Sequence, residues 1–181
     1  MTVIWLTGLP GTGKSTIAHA VMAQAKERGE ADGLRLLELD AIRKYITPNP
    51  AYTEEERAIV YRALATMTYL LAQEGKHVVV DATDNTGTGR QAARELLSGV
   101  TGFHVVSLIC DDATRQAWEE ARGTQLYSRA KAGMPNVPGA TGRYVKEKHP
   151  SLTIATDTLA PPDAASAIRK LFNETQGDQP T

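Results

Sequence analysis

Residues Gly8 to Thr16 read Gly-Leu-Pro-Gly-Thr-Gly-Lys-Ser-Thr and follow directly on the apolar run Val3-Ile4-Trp5-Leu6. The spacing is G-x-x-x-x-G-K-[ST]. Its glycines let the backbone curl until successive N–H groups face inward, and the helix that follows presents the positive end of its dipole. A polyphosphate is the ligand such a concavity selects. Gly8, Leu9, Pro10, Gly11, Thr12, Gly13, Lys14, Ser15 and Thr16 are therefore read as the cradle of a nucleoside triphosphate. Lys14 is expected to reach the β- and γ-phosphates, and the Ser15 hydroxyl to ligate Mg²⁺. The competing reading, a chance glycine-rich turn, loses weight because strand, loop and amphipathic helix occur in the required order.

Outward from this loop, short apolar runs recur at Val3-Leu6, Leu34-Leu39, Val78-Val80, Val105-Ile109 and Leu152-Ile154, separated mostly by stretches of helical length. This alternation predicts an α/β chain with the P-loop NTPase fold, a mainly parallel sheet with helices on both faces. A first helix is predicted from about Lys14 to Arg28, with Ile17, Ala18, Val21, Met22 and Ala25 on one face and Gly29 as its stop. Thr53 and Glu56 have the spacing of a capping box before Val60, Leu64, Met67 and Leu71. Further helices are predicted over Thr88 to Leu97, from near Asp112 to about Ala130, and from Pro161 to Phe172. Between Lys131 and Pro150 glycine and proline are dense, so residues 131–150 are read as a mobile excursion, a lid in the C-terminal half. Residues 1–175 then form one domain and 176–181 a flexible polar tail.

Bulk composition narrows the partners. The 20 basic and 21 acidic residues leave a net charge of −1, which argues against an extended nucleic-acid footprint while allowing a local basic pocket. Cys110, the lone cysteine, has no partner for an internal disulfide and closes an apolar run, as a small buried thiol would. A reducing cytoplasm is the expected location, with neither a secretory leader nor a membrane-spanning run.

Two aspartates carry the prospective chemistry: Asp40 after Leu36-Leu37-Glu38-Leu39, and Asp81 after Val78-Val79-Val80. Ligands of an open parallel sheet bind at the carboxyl edge of its strands. Either carboxylate there can hold Mg²⁺ or accept a proton from an attacking hydroxyl, and either can instead cap the next helix. Asp40 is preferred as catalytic base and metal ligand because Arg43 follows at i+3, an anion-binding guanidinium on the same helix face. Arg43, Arg57, Arg62, Arg90, Arg122, Arg129 and Lys131 are candidate phosphate or acidic-substrate contacts, against the simpler reading of solvated surface charge. Arg122, Arg129 and Lys131 flank the excursion, where closure would carry positive charge over a transferring phosphoryl group and exclude water. Tyr52, just before the second long helix, is open to two readings: stacking on a substrate base, or packing as a hydrophobic staple.

With these residues quoted, the chain resembles the adenylylsulfate kinase family along nearly its whole length. Gly8-Leu9-Pro10-Gly11-Thr12-Gly13-Lys14-Ser15-Thr16 is similar to the family's GLSGSGKST, and Leu39-Asp40-Ala41-Ile42-Arg43 to its G-D-N-I-R. Tyr52-Thr53-Glu54-Glu55-Glu56-Arg57 resembles F-S-x-x-D-R, and Leu126-Tyr127-Ser128-Arg129-Ala130 resembles L-Y-K-K-A. Gly139, Tyr144 and Pro150 follow the spacing of T-G-I-D-x-P-Y-E…P. The resemblance implies ATP and Mg²⁺ as cofactors and transfer of the γ-phosphoryl group to the 3′-hydroxyl of adenosine 5′-phosphosulfate (APS). It implies Asp40 as base or Mg²⁺ organiser, Arg43 and Arg57 as grips on the substrate, and Tyr52 as a stack for its adenine; Asp81, from its strand-end position, is the weaker candidate and is placed with the substrate-binding residues. A homodimer is compatible with it. Departures fall on the acceptor side: Val60 in place of an asparagine, Thr124 in place of a lysine, Val137 in place of a phenylalanine, and Thr83-Asp84-Asn85 in place of I-S-P. They keep open a kinase of the same build acting on another small hydroxyl compound or nucleotide conjugate, and, further off, a nucleotide-dependent regulatory switch.

Overall fold

The computed structural model describes residues 1–123, 132–133 and 142–173. Five strands, β1 (Thr2–Thr7), β2 (Leu34–Glu38), β3 (His77–Asp81), β4 (Gly102–Ile109) and β5 (Leu152–Ala155), form one parallel sheet in the order β2-β3-β1-β4-β5. Six helices are described: α1 (Lys14–Glu27), α2 (Leu39–Ile46), α3 (Glu54–Gln73), α4 (Thr88–Leu97), α5 (Asp112–Arg122) and α6 (Pro161–Lys170). None of the described helices is long and apolar enough to cross a membrane.

The central strand explains the two-sided architecture. All six residues of β1 are buried, and alternate side chains enter different cores. Ile4 and Leu6 pack with Ile17 and Val21 of α1 and Ile168 of α6, while Val3 and Trp5 pack with Val60 and Leu64 of α3 and Leu97 of α4. A strand apolar at both parities cannot sit at a solvated face, so helices cover both sides. β1 also lies where the chain changes direction across the sheet, with β3 on one side and β4 on the other. The crevice outside the strand ends at such a position is the expected ligand site.

Local chemistry sets the helix boundaries. At α3 the Thr53 side chain accepts the Glu56 N–H at 3.2 Å, but the Glu56 carboxylate does not complete the predicted box. It accepts instead from Ala51 N at 2.6 Å and Arg43 Nη1 at 2.9 Å, which fastens α3 to α2. The predicted strand end at Asp40 is likewise corrected: β2 stops at Glu38, and Asp40 lies in the first turn of α2, a helix the periodicity did not mark out separately. α5 closes at Gly123, in the left-handed region at φ 68, short of the predicted Ala130; residues 124–130 lie outside the described residues. The predicted tail 176–181 lies outside them as well.

Part of the predicted excursion is also outside, but residues 142–150 are described, and they are fastened rather than loose. Val145 N donates to Asn85 O at 2.7 Å, and Arg90 Nη2 donates to Val145 O at 2.7 Å. Glu147 pairs with Arg90 at 3.0 Å and Arg94 at 3.4 Å. Arg90 and Asp84 form the centre of this fastening, with side-chain exposures of 3% and 0% and a separation of 3.0 Å. The Asp84 carboxylate also accepts the amides of Gly89 and Arg90, closing the start of α4. Removing the guanidinium would leave a buried carboxylate without its charge partner. Arg90→Ala is therefore expected to destabilise the protein by about 3–5 kcal/mol, as read from the midpoint of urea unfolding.

Candidate active site

The phosphate loop leaves β1 through a position that excludes side chains. A Cβ on Gly8 would stand 2.5 Å from the Leu108 carbonyl oxygen and 2.7 Å from Thr12 Oγ1, so the loop passes flush against β4. At the other end Gly13, with φ 81, turns the chain into α1. Lys14 is 8% exposed and folds back over the loop, its Nζ donating to the carbonyls of Gly8 and Leu9 at 3.1 Å each. Leu9, Pro10 and Gly11 are partly buried, Thr12 is buried, and Ser15 and Thr16 face outward from the first turn of α1.

Ser15 has a specific partner. Its Oγ donates to Asp81 Oδ2 at 2.5 Å, linking the phosphate loop to the carboxyl end of the adjacent strand β3. Asp81 is 7% exposed. Burial raises its pKa above the ordinary carboxylate value, the Lys14 charge and the Ser15 hydrogen bond oppose the shift, and the negative charges of Asp40 and Glu38 add to it. The two aspartates thus feel one another, but the carboxylate brought to Ser15 belongs to Asp81, the one the sequence ranked second. Asp40 is exposed and makes no hydrogen bond or ion pair among the described residues. Ser15 and Asp81 together offer hard oxygen donors of the kind Mg²⁺ takes, next to the lysine of the loop.

Arg43, Tyr52 and Arg57 are gathered into one cluster. Both guanidinium carbons approach the Tyr52 ring, at 5.3 Å for Arg43 and 5.5 Å for Arg57, and Arg57 Nε donates to Tyr52 O at 3.1 Å. Tyr52 itself has φ 55 and remains 46% exposed. The position a staple would pack against, the fourth of α3, is Arg57, so Tyr52 meets a cation there and keeps surface for another ring. Asp40 and Arg43 share α2 but not surroundings: Arg43 is buried against Glu56, while Asp40 stays at the surface.

On the far side of the loop, Gly13, Thr16, Ile17, Trp118, Ala121, Thr156, Leu159 and Pro161 line a mainly apolar cavity of about 360 Å³. Trp118 reaches it from α5 and Leu159 from the turn after β5. Two residues that the sequence did not single out stand beside the loop: Trp118 in the cavity lining, which reads only as part of a helix, and Arg115, buried with its aliphatic stem against Gly11. Arg90, read from sequence as a phosphate contact, is committed instead to Asp84, Glu147 and Val145. The side chains of Arg122 and Arg129 lie outside the described residues. Cys110 is half-buried rather than enclosed, and burial raises its thiol pKa.

The raised pKa of Asp81 gives a pH prediction. A carboxylate whose pKa lies above its ordinary value takes up its proton earlier as pH falls, so a function that needs the anion is lost at a higher pH than an unperturbed aspartate would impose. The acid limb of kcat/KM for ATP is expected above the usual carboxylate range, and Asp81→Asn is expected to remove that limb along with most of the activity.

Known proteins resemble this chain in sequence and in fold. The family model for adenylylsulphate kinase matches residues 1–155. The adenylyl-sulfate kinase of Deinococcus deserti is 32% identical over 92% of this chain and 88% of its own length, and that of Pseudomonas aeruginosa 31% identical over 98% and 87%. The Mycobacterium tuberculosis APS kinase, solved in complex with AMPPNP and APS, superposes with a TM-score of 0.84 at 26% identity, over 96% of this chain and 98% of that one. The phosphate loop, the parallel sheet and the matched length together establish that this chain belongs to the adenylylsulphate kinase family, the ATP-dependent phosphotransferases that act on APS.

Proposed function

We propose that this kinase joins ATP and APS across the carboxyl edge of β1 and β3, with the phosphate loop holding the donor and the α2–α3 cluster holding the acceptor. The observation that carries this division is the Ser15–Asp81 bond of 2.5 Å on one side, set against the convergence of Arg43 and Arg57 on Tyr52 on the other. Gly8 to Thr16 cradle the ATP phosphates, Lys14 neutralises charge developing on the β- and γ-oxygens, and the apolar cavity beside Trp118 accepts the base. Arg43 and Arg57 grip the anionic acceptor, and Tyr52 stacks on its adenine.

Ser15 and Asp81 are the residues that would hold Mg²⁺, which when bound shields the β- and γ-phosphate oxygens. Asp40, exposed at the start of α2, orients the acceptor 3′-hydroxyl and takes its proton as the oxygen attacks the γ-phosphorus. The bond from that phosphorus to the bridging β-phosphate oxygen breaks, ADP leaves with the electron pair, and 3′-phosphoadenosine 5′-phosphosulfate is formed. Little covalent work falls to the protein in such a transfer; positioning and charge stabilisation dominate.

A second acceptor is favoured by one specific observation. Val60, where the family pattern carries an asparagine, is fully buried in the core, and Asp84 is fully committed to α4, so two positions on the acceptor side offer a ligand nothing. An assay with ATP and APS, following both ADP release and the 3′-phosphorylated product, decides between them: APS-dependent formation of both is expected, and ADP release with a different hydroxyl compound alone would reassign the acceptor. Lys14→Ala is expected to abolish transfer while the protein stays folded, as read from its circular dichroism spectrum. Asp40→Asn is expected to lower kcat by at least about a hundredfold with a smaller change in ATP affinity.

A further inference from the structure

The segment that replaces I-S-P contains an asparagine held in an unusual way. Asn85 is 6% exposed and fixed at three atoms. Its backbone oxygen accepts from Val145 N at 2.7 Å, its backbone N–H donates to the Tyr61 hydroxyl at 3.4 Å, and its Oδ1 accepts from that same hydroxyl at 3.2 Å. The side-chain atom that meets the hydroxyl is the oxygen, so the amide nitrogen faces away from it. The Tyr61 hydroxyl gives its single hydrogen to that oxygen while a lone pair takes the backbone N–H. Burial, foremost, and the Asp84 charge push the Tyr61 hydroxyl up to about 12, so it remains a donor at any working pH. Nδ2, with two hydrogens to donate, has no hydrogen-bond partner among the described residues and is not sealed from solvent. The preceding residue, Asp84, has φ 45, a left-handed turn in the segment between β3 and α4.

The surroundings identify what such a donor would meet. Tyr61 follows Arg57 by four residues and so shares its face of α3. Its hydroxyl feels the positive charges of both Arg57 and Arg43. A neutral, preset amide donor therefore stands in the field of the two guanidinium groups assigned to the anionic acceptor. We infer that Asn85 is an acceptor-specificity residue, its Nδ2 donating to an oxygen of the phosphosulfate group, and that Tyr61 is the positioning residue that aims it. This inference rests on the acceptor reading above. The amide supplies from the β3–α4 turn a donor that Val60, buried in the core, does not supply from α3.

Asn85→Asp tests it with little change of shape, because the oxygen bonded to Tyr61 is kept and the lone donor becomes a negatively charged acceptor. The expected result is a rise in KM for APS of about ten- to a hundredfold, the scale of one lost charge-assisted hydrogen bond, with KM for ATP within about twofold. Tyr61→Phe is expected to raise KM for APS less, with the same indifference toward ATP, since the amide survives and only its aim is loosened. Calorimetric titration of APS into the protein with a non-hydrolysable ATP analogue gives the affinity without turnover. Unchanged APS affinity in Asn85→Asp overturns the inference alone. Equal losses of ATP and APS affinity together with a lowered unfolding midpoint in both variants also overturn it, by making the amide merely structural. Failure of the unmodified protein to bind APS overturns the acceptor reading, and this inference with it.

Discussion

The structure depends on the burial of β1 on both faces and on its exit at Gly8. Six successive buried residues commit the strand to the middle of the sheet, because any edge or solvated face would expose one parity of its side chains. The exit has no room for a Cβ, so the loop that follows must lie against Leu108 of the neighbouring strand. Packing and chemistry meet at this point. The same close approach that lets β1 and β4 pair also sets the phosphate loop at the carboxyl edge, where the ends of β2 and β3 bring their acidic residues.

Charge is distributed unevenly along that edge, and the distribution divides the labour. Around the loop, Lys14 and the Ser15 hydroxyl offset the burial of Asp81, which leaves a carboxylate raised above its ordinary pKa but held within reach of a cation. Across from it, two guanidinium groups converge on one half-exposed aromatic ring, which gathers positive charge beside a stacking surface. Between the sheet edge and the segment leading into β5, Arg90 and Asp84 are buried together and Arg90 also pairs with the partly buried Glu147. Their role is to hold the β3–α4 turn and residues 145–147 in register. Buried charges of this kind add less net stability than their contacts suggest, but they leave few alternative arrangements for the groups they fix.

Short-range patterns accounted for much of this. Apolar runs located all five strands, the glycine and lysine spacing located the phosphate loop, and Thr53, Gly29 and Pro161 marked helix ends, because each signal is carried by neighbours in the chain. The resemblance to adenylylsulfate kinases was legible for the same reason, being written in contiguous segments. What went astray depended on distant partners. The Thr53–Glu56 spacing implied a closed box, but Glu56 had a stronger claimant in Arg43, thirteen residues away. Residues 142–150 read as loose from their composition, yet Arg90 and Asn85 bind their backbone across more than fifty residues of sequence.

The sequence by itself determined the fold class, the nucleotide-binding loop and the family, since these rest on periodicity and on residue types at fixed spacing. Only the tertiary structure decided which carboxylate serves the loop, and that Arg90 fastens rather than grips. It alone brought Trp118 to the cavity beside the loop and held Asn85 at three atoms with its amide nitrogen unpaired among the described residues. Each of these is a matter of which side chains from separate elements come within about 3–4 Å of one another, or of water being excluded from between them. The order of strands in the sheet fixes that proximity, and no local pattern along the chain encodes it.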